Sequence, residues 1–377
     1  MHFSPRVVCI GCGVGGEVLG AKRAGYIVTC CIDLCPANCA VLERRYPDTT
    51  VIRADINAFD QWRHHIPPLR DVVTVALQCQ PSSSLNAHRT PDDPRHDTNY
   101  NMVLAAIYLN PSAILIENVA GFADNCPDEC ERVMLTLESV GYTASLHRIN
   151  SKAWTASSRP RIYIIAMRGG GTNSVYDVEA FAKNARPKTL RSAITGLRAL
   201  WSRPFRDSKW YNGSPCIIGP DQTYPCITTK VFDRMPRHYT PRKRDANVPY
   251  HEVTAPTVPI ICALLGFPPD YFTDREVNAD RCTCPVCNKH RACQIGRQLG
   301  RVWCPAAARE ILIAIMPDLI RVRRESYAVA YNVTPPLSST GITQLARHDF
   351  HVASHNTIGA TSITCKHACQ RAAAIST

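Results

Sequence analysis

Residues 71–82 read DVVTVALQCQPS, a β-branched apolar run that ends in a polar turn containing Cys79. A run of this kind is typical of a buried parallel strand. In an open α/β sheet, ligands bind at the carboxyl ends of such strands. Cys79 is therefore placed for a nucleophile, although free cysteine is also among the most frequently buried residues. The residues at the ends of the other predicted strands distinguish a nucleophilic Cys79 from one that is only packed in the core.

A glycine-rich loop follows the first apolar run of the chain, residues 6–10. Glycines let the backbone turn tightly and approach a ligand, and the helix after the loop presents its amino terminus. Such loops are shared by NAD, flavin and S-adenosylmethionine sites. The glycines expected to contact a cofactor are Gly11, Gly13, Gly15 and Gly16.

Acidic residues end the next two apolar runs. Residues 26–32 lead to Asp33, and residues 50–54 lead to Asp55 and Ile56. An acid after the second strand commonly binds the hydroxyls of a ribose. Together with the glycine loop, these strand ends favour an adenosine-containing cofactor. For each acid considered alone, a helix cap or a solvated loop position is the alternative.

Composition restricts the class of protein. The chain has 377 residues, of which 45% are hydrophobic and 20% charged, and this is typical of a globular protein with a full core. Without a secretory pattern or a run long enough to span a bilayer, its 19 cysteines are expected to be mostly reduced and buried. A net charge of +12 favours a polyanionic partner, most simply nucleic acid.

Across residues 6–316 the motifs resemble, in order, those of the cytosine-5 DNA methyltransferase family. The segments that carry the resemblance are the glycine loop, the Cys79 turn, Glu117-Asn118-Val119, Arg159-Pro160-Arg161, Leu264-Leu265-Gly266-Phe267-Pro268 and Gln298-Leu299-Gly300. The resemblance implies a Rossmann-like, S-adenosylmethionine-dependent α/β fold, in which a doubly wound and mostly parallel sheet carries a smaller irregular target-recognition domain. The expected divisions are residues 1–169, 170–290, 291–317 and a loosely ordered tail, 318–377.

The resemblance also assigns chemistry. Cys79 would add to C6 of a flipped-out cytosine in DNA, Glu117 would hold the N3 edge of the base, and Arg159 and Arg161 would orient it. S-adenosyl-L-methionine, held by the glycine loop with Asp33, Asp55 and Ile56, would then supply the methyl group.

Two departures from the family pattern keep other functions open. Gly11 stands where the family has an aromatic residue, and Gln78 stands where it has proline. An inactive nucleic-acid-binding homologue is therefore one alternative, and the same chemistry on transfer RNA is another. An NAD-dependent oxidoreductase would share the glycine loop but would leave Cys79, Glu117 and Arg161 unexplained.

The remaining expectations concern recognition, metal and location. Basic and aromatic residues alternate between 183 and 244, which suits contacts with phosphates and bases. The spacing of Cys282, Cys284, Cys287 and Cys293 has the ligand types of a structural zinc site. We expect an intracellular monomer without a membrane partner, nuclear if it is encoded by a eukaryote or a eukaryotic virus and cytoplasmic if it is bacterial.

Overall fold

The computed structural model describes residues 4–68, 71–84, 86, 88–90, 92–202, 216–228, 231, 253–277 and 294–332. Seven strands form one sheet in the order β3-β2-β1-β4-β5-β7-β6. The first five run parallel to their neighbours, whereas β7 is antiparallel to both β5 and β6. Their bounds are β1 Arg6–Ile10, β2 Ile27–Asp33, β3 Thr50–Arg53, β4 Val72–Ala76, β5 Ala113–Val119, β6 Tyr142–Asn150 and β7 Pro160–Arg168.

Helices cover both faces of this sheet, because both faces are apolar. On β1, Val7 and Cys9 belong to one buried cluster, and Val8 and Ile10 belong to another on the opposite face. The structure therefore confirms the doubly wound, mostly parallel α/β sheet. The helices and short helical turns of this part are α1 Gly16–Arg23, α2 Pro36–Arg45, α3 Phe59–Trp62, α4 Arg95–Tyr108, α5 Gly121–Asn125, α6 Pro127–Ser139 and α7 Asn173–Asn184.

A small second sheet follows, with the strand order β10-β8-β9. A third buried cluster joins this part to the main sheet, since it includes Leu200 from β8, Leu264 from the helix that follows β10, and Val14 from the glycine loop. The elements are α8 Leu190–Ala193, β8 Ala199–Ser202, β9 Cys216–Ile218, β10 Val253–Thr254, α9 Val258–Leu265, α10 Asp274–Val277 and α11 Gln294–Arg301.

The last helix, α12, spans Pro305–Asn332 and contains Pro317. Its residues Ala307, Ile311 and Ile315 pack in the same cluster as Val7 of β1. It also extends past residue 317, where the ordered part was expected to end. Residues 1–322 form one compact unit and residues 323–377 a second. The boundaries expected at 169 and 290 stay predictions.

Among the described residues, no helix is both long and apolar enough to cross a membrane. The described cysteines form no disulfide, and most of them are buried, as expected.

Candidate active site

A cleft opens at the carboxyl ends of β1, β2, β4 and β5. The β1 and β4 strands are neighbours, but the chain leaves them toward opposite sides of the sheet, and ligands of doubly wound folds bind at such a switch point. Most of the residues selected from the sequence line this cleft: Gly11, Gly13, Asp33, Asp55, Ile56, Cys79, Glu117 and Arg161.

The glycine loop divides into a part that lines the cleft and a part that packs inside the protein. Gly13 has a φ of +54°, and a Cβ added to it would have no atom within 4 Å, so the space beside it is open to a ligand. In contrast, a Cβ on Gly15 would lie 2.8 Å from Leu42 Cδ2, and one on Gly16 would lie 2.1 Å from the Trp303 carbonyl oxygen. The structure thus places Gly15 and Gly16 in close packing rather than in the cleft lining.

Asp33 is held at the end of β2 by three donors. Its Oδ2 accepts from the Gly13 N–H at 2.8 Å, and its Oδ1 accepts from the Cys35 N–H at 2.8 Å and from Asn38 Nδ2 at 2.9 Å. Burial raises the pKa of Asp33, while these bonds and the nearby Arg301 oppose the rise. A carboxylate has about four acceptor positions, so one on Oδ2 remains for a ligand hydroxyl.

Asp55 and Ile56 form the neighbouring wall after β3. The Asp55 Oδ1 accepts from the Asn57 N–H at 2.9 Å, and its carbonyl oxygen accepts from the Trp62 indole N–H at 2.8 Å. These bonds hold a short 3-10 turn and place the apolar Ile56 side chain in the cleft lining. A flat apolar ring would find a suitable contact surface there.

Cys79 lies half-buried after β4, on the other side of the cleft. Its carbonyl oxygen accepts from the Ser83 N–H at 2.9 Å, and the Leu77 N–H donates to the Glu117 carbonyl oxygen at 3.3 Å. Two arginines, Arg161 and Arg95, interact electrostatically with Cys79. The turn therefore presents Cys79 to the cleft with two arginine side chains near it.

Glu117 and Arg161 meet because β5 and β7 are antiparallel. Glu117 faces Tyr163 and Arg161 faces Val119, so the two charged residues are diagonal neighbours on one face of the sheet. Arg161 Nε lies 2.9 Å from Glu117 Oε1, and both side chains are at least nine-tenths buried. Burial raises the pKa of Glu117, although Arg161 and Arg159 counteract it. Glu117 is therefore suited to carry a proton beside a fixed cation.

A family model described as C-5 cytosine-specific DNA methylase matches residues 6–251. The chain belongs to this family. The type II methyltransferase M.NgoMIV of Neisseria gonorrhoeae is 27% identical over 199 residues, which cover 52% of this chain and 61% of that enzyme. The matched part is thus less than two thirds of that relative.

Two solved structures share the fold. The Dnmt2 methyltransferase of S. pombe is 19% identical with a TM-score of 0.57, covering 83% of this chain and 99% of that chain. The methyltransferase EhMeth of Entamoeba histolytica is 14% identical with a TM-score of 0.58, covering 84% of this chain and 99% of that chain.

Arg159 is not among the described residues that line the cleft. It is only 1% exposed, and its guanidinium donates to the carbonyl oxygens of Ile227 at 3.3 Å, Gly300 at 3.2 Å and Val302. These contacts join the residue before β7 to Ile227 and to the end of α11 with the turn that follows it. Arg159 thus holds three backbone carbonyls together, and its expected contact with the base stays a prediction.

The departure at Gly11 also has a structural account. A Cβ there would lie 2.5 Å from Met102 Cε and 2.9 Å from the Ala76 carbonyl oxygen. Met102, from α4, lines the cleft and occupies the space into which a side chain at position 11 would point. A side chain larger than that of glycine at position 11 would therefore clash with Met102 and with the backbone of β4.

Several residues that line or support the cleft were not selected from the sequence. Arg297, Gln298, Arg301 and Trp303 line it from α11 and the turn after it, and Gln298 Nε2 donates to Asn38 Oδ1 at 2.9 Å. The Gln298-Leu299-Gly300 motif was the one feature of the sequence that could have indicated that this segment lines the cleft. Asn99, whose side chain contacts the residue before Cys79, carried no sequence signal.

The expected zinc ligands Cys282, Cys284, Cys287 and Cys293 lie outside the described residues, as does much of the basic and aromatic segment between 203 and 252. Within the described ranges, no cluster of His, Cys, Asp and Glu side chains could hold a metal ion. The zinc site stays a prediction.

Proposed function

We propose that this protein transfers a methyl group from S-adenosyl-L-methionine to C5 of a flipped-out cytosine in DNA, through a covalent bond between Cys79 and C6. One observation carries this proposal. Cys79, Glu117 and Arg161 converge on one side of a cleft whose other side is built by Gly13, Asp33 and the Asp55-Ile56 turn.

The cofactor fits the residues present. Asp33 has an acceptor position left for a ribose hydroxyl, Ile56 offers an apolar contact for adenine, and Gly13 leaves open space between them. Arg301 lines the same cleft and would face the negatively charged end of the amino-acid tail. When bound, the cofactor supplies an electrophilic methyl group.

The chain's own residues then account for activation of the base. The Cys79 thiolate adds to C6, which turns the weakly nucleophilic C5 into an enamine carbon. Glu117, which burial keeps protonated to higher pH than an ordinary glutamate, donates a hydrogen bond to N3 and balances the developing negative charge. After C5 takes the methyl group, its proton leaves to water and the bond between sulfur and C6 breaks.

Arg161 orients this arrangement through charge. Its guanidinium is fixed by Glu117 and by the Pro160 carbonyl oxygen, which accepts from Nη1 at 2.7 Å. It therefore holds the Glu117 carboxyl in one position and places a cation near the Cys79 sulfur without having to reorganise during the reaction.

The test is transfer of a tritiated methyl group to unmethylated DNA and, in parallel, to transfer RNA. Wild type is expected to label DNA, and Cys79→Ala is expected to label neither polymer while still binding the cofactor. Cys126→Ala is the matched control, because Cys126 is also half-buried but lies outside the cleft lining. Wild-type labelling of RNA alone would reassign the substrate, and labelling by Cys79→Ala would refute the nucleophile.

A further inference from the structure

Gln78, the residue before Cys79, has its backbone held by one buried side chain. The Gln78 N–H donates to Asn99 Oδ1 at 2.7 Å, and Asn99 Nδ2 donates to the Gln78 carbonyl oxygen at 3.0 Å. Asn99 is only 2% exposed and does not belong to the described cleft lining. The side-chain amide of Asn99 thus pairs with both the backbone N–H and the backbone carbonyl oxygen of Gln78, next to the nucleophile.

The helix that carries Asn99 is firmly attached to the strand that delivers Cys79. On α4, Val103 and Ala106 are fully buried, and they pack in the same cluster as Val73 and Val75 of β4. Asn99 therefore ties the turn after β4 to a rigid support on the face of that same strand. Without this tie, Gln78 would lie between the 3.3 Å bond from the Leu77 N–H and the 2.9 Å bond that the Cys79 carbonyl oxygen accepts from the Ser83 N–H.

We infer that Asn99 is a positioning residue, which holds the Cys79 thiol at the distance from the base that addition to C6 requires. This inference rests on the proposed function. A proline at position 78 would restrict the same backbone by fixing φ, but it has no N–H to donate to Asn99. The Gln78–Asn99 pair and a proline are thus two exclusive ways of fixing this turn.

The first experiment replaces Asn99 by alanine and measures covalent trapping on DNA that contains 5-fluorocytosine, with saturating cofactor. Fluorine cannot leave C5 as a proton does, so the bond between sulfur and C6 persists and reports thiol addition. A displacement of about 1 Å costs about 100-fold, so Asn99→Ala should trap about 100-fold more slowly than wild type. Cofactor affinity should stay within about twofold of wild type, since no contact with the residues proposed to hold the cofactor is lost.

The matched control is Tyr100→Phe on the same helix, which removes only the hydroxyl contact to Thr136 at 3.1 Å. It should trap at the wild-type rate. Equal trapping by Asn99→Ala and wild type would overturn the inference. So would a loss of cofactor affinity as large as the loss of trapping, because Asn99→Ala would then act through general damage to the fold.

A rescue experiment separates positioning from simple destabilisation. Gln78→Pro alone should slow trapping, because it leaves the buried Asn99 Oδ1 without its donor. In the double variant with Asn99→Ala, proline restricts the turn and the buried Asn99 Oδ1 is no longer present. The double variant should trap about 10-fold faster than Asn99→Ala, and a double variant that is no faster refutes the inference.

Hydrogen exchange tests the contact independently of catalysis. In Asn99→Ala, the Gln78 amide should exchange at least about tenfold faster than in wild type, while the amides of residues 72–76 in β4 remain protected. Unchanged exchange at Gln78 would overturn the inference. A wild type that never traps DNA would instead refute the proposed function, and the two failures are therefore distinguishable.

Discussion

Arg159→Met should lower the melting temperature of this protein and leave the rate of methyl transfer nearly unchanged. Methionine keeps an extended side chain in the buried site, but it provides no donor for the carbonyl oxygens of Ile227, Gly300 and Val302. Those three oxygens lie in segments that are distant in sequence and that meet at Arg159. The variant therefore removes a link between the residue before β7, the segment before Val231, and the end of α11 with the turn that follows it.

The magnitude follows from the number of bonds and the cost of burying the charge. Three bonds from a charged donor are each worth at least about 1.5 kcal/mol, which gives a loss of about 4 to 5 kcal/mol. Burial lowers the pKa of Arg159, and Arg161 lowers it further, so removing the cation recovers about 1 to 2 kcal/mol. The net loss of about 3 kcal/mol should lower Tm by roughly 4 °C, since a unit of this size has an unfolding entropy of about 0.7 kcal/mol/K.

Thermal unfolding followed by circular dichroism measures this change, and single-turnover methyl transfer well below Tm measures the chemistry. Arg148→Ala is the control, because its 2.7 Å ion pair with Asp124 is half-exposed and should contribute at most about 1 kcal/mol. The reasoning is refuted if Arg159→Met keeps the wild-type Tm and loses methyl transfer, because Arg159 would then act on the base.

Three further predictions concern Glu117 and Gly16. Glu117→Gln should lower the single-turnover rate of methyl transfer at least about 100-fold. The variant should still bind the cofactor, and its covalent trapping on 5-fluorocytosine DNA should still be detectable. In wild type, transfer should decline as pH rises through the raised pKa of Glu117, because the proton at N3 is lost; the pH profile of Glu117→Gln should lack this decline, and an identical decline would contradict the assignment. Gly16→Ala should lower Tm, since its Cβ would meet the Trp303 carbonyl oxygen at 2.1 Å, and overpacking of this kind costs about 1 to 3 kcal/mol. Gly219→Ala, with its nearest atom 3.7 Å away, should leave Tm unchanged.

Local patterns in the sequence predicted most strands of the sheet and many of the residues that line the cleft. The apolar runs before Gly11, Asp33 and Cys79 are strands in the structure, and these residues lie at the strand ends as predicted. This success has a simple reason: a residue that directly follows a parallel strand has its place fixed by that strand. The family motifs added Glu117 and Arg161, and the structure brings them to the same cleft.

Contacts between distant segments were beyond the reach of these patterns. The family motif selected both Arg159 and Arg161, but only the antiparallel pairing of β5 with β7 decided that Arg161 meets Glu117. Arg159 instead reaches backbone carbonyls more than 60 residues away in the chain. Which arginine faces the cleft depends on the elements packed on each side of the sheet.

By itself, then, the sequence determined the strand-end positions of the glycine loop, Asp33 and Cys79, because these depend on neighbouring residues. The tertiary structure alone decided that Met102 fills the space beside Gly11, that Gly16 packs against the turn before α12, and that Asn99 holds Gln78. Each of these last contacts joins segments separated by 20 residues or more, and only the packing of α4 and α12 on the sheet brings them within bonding distance.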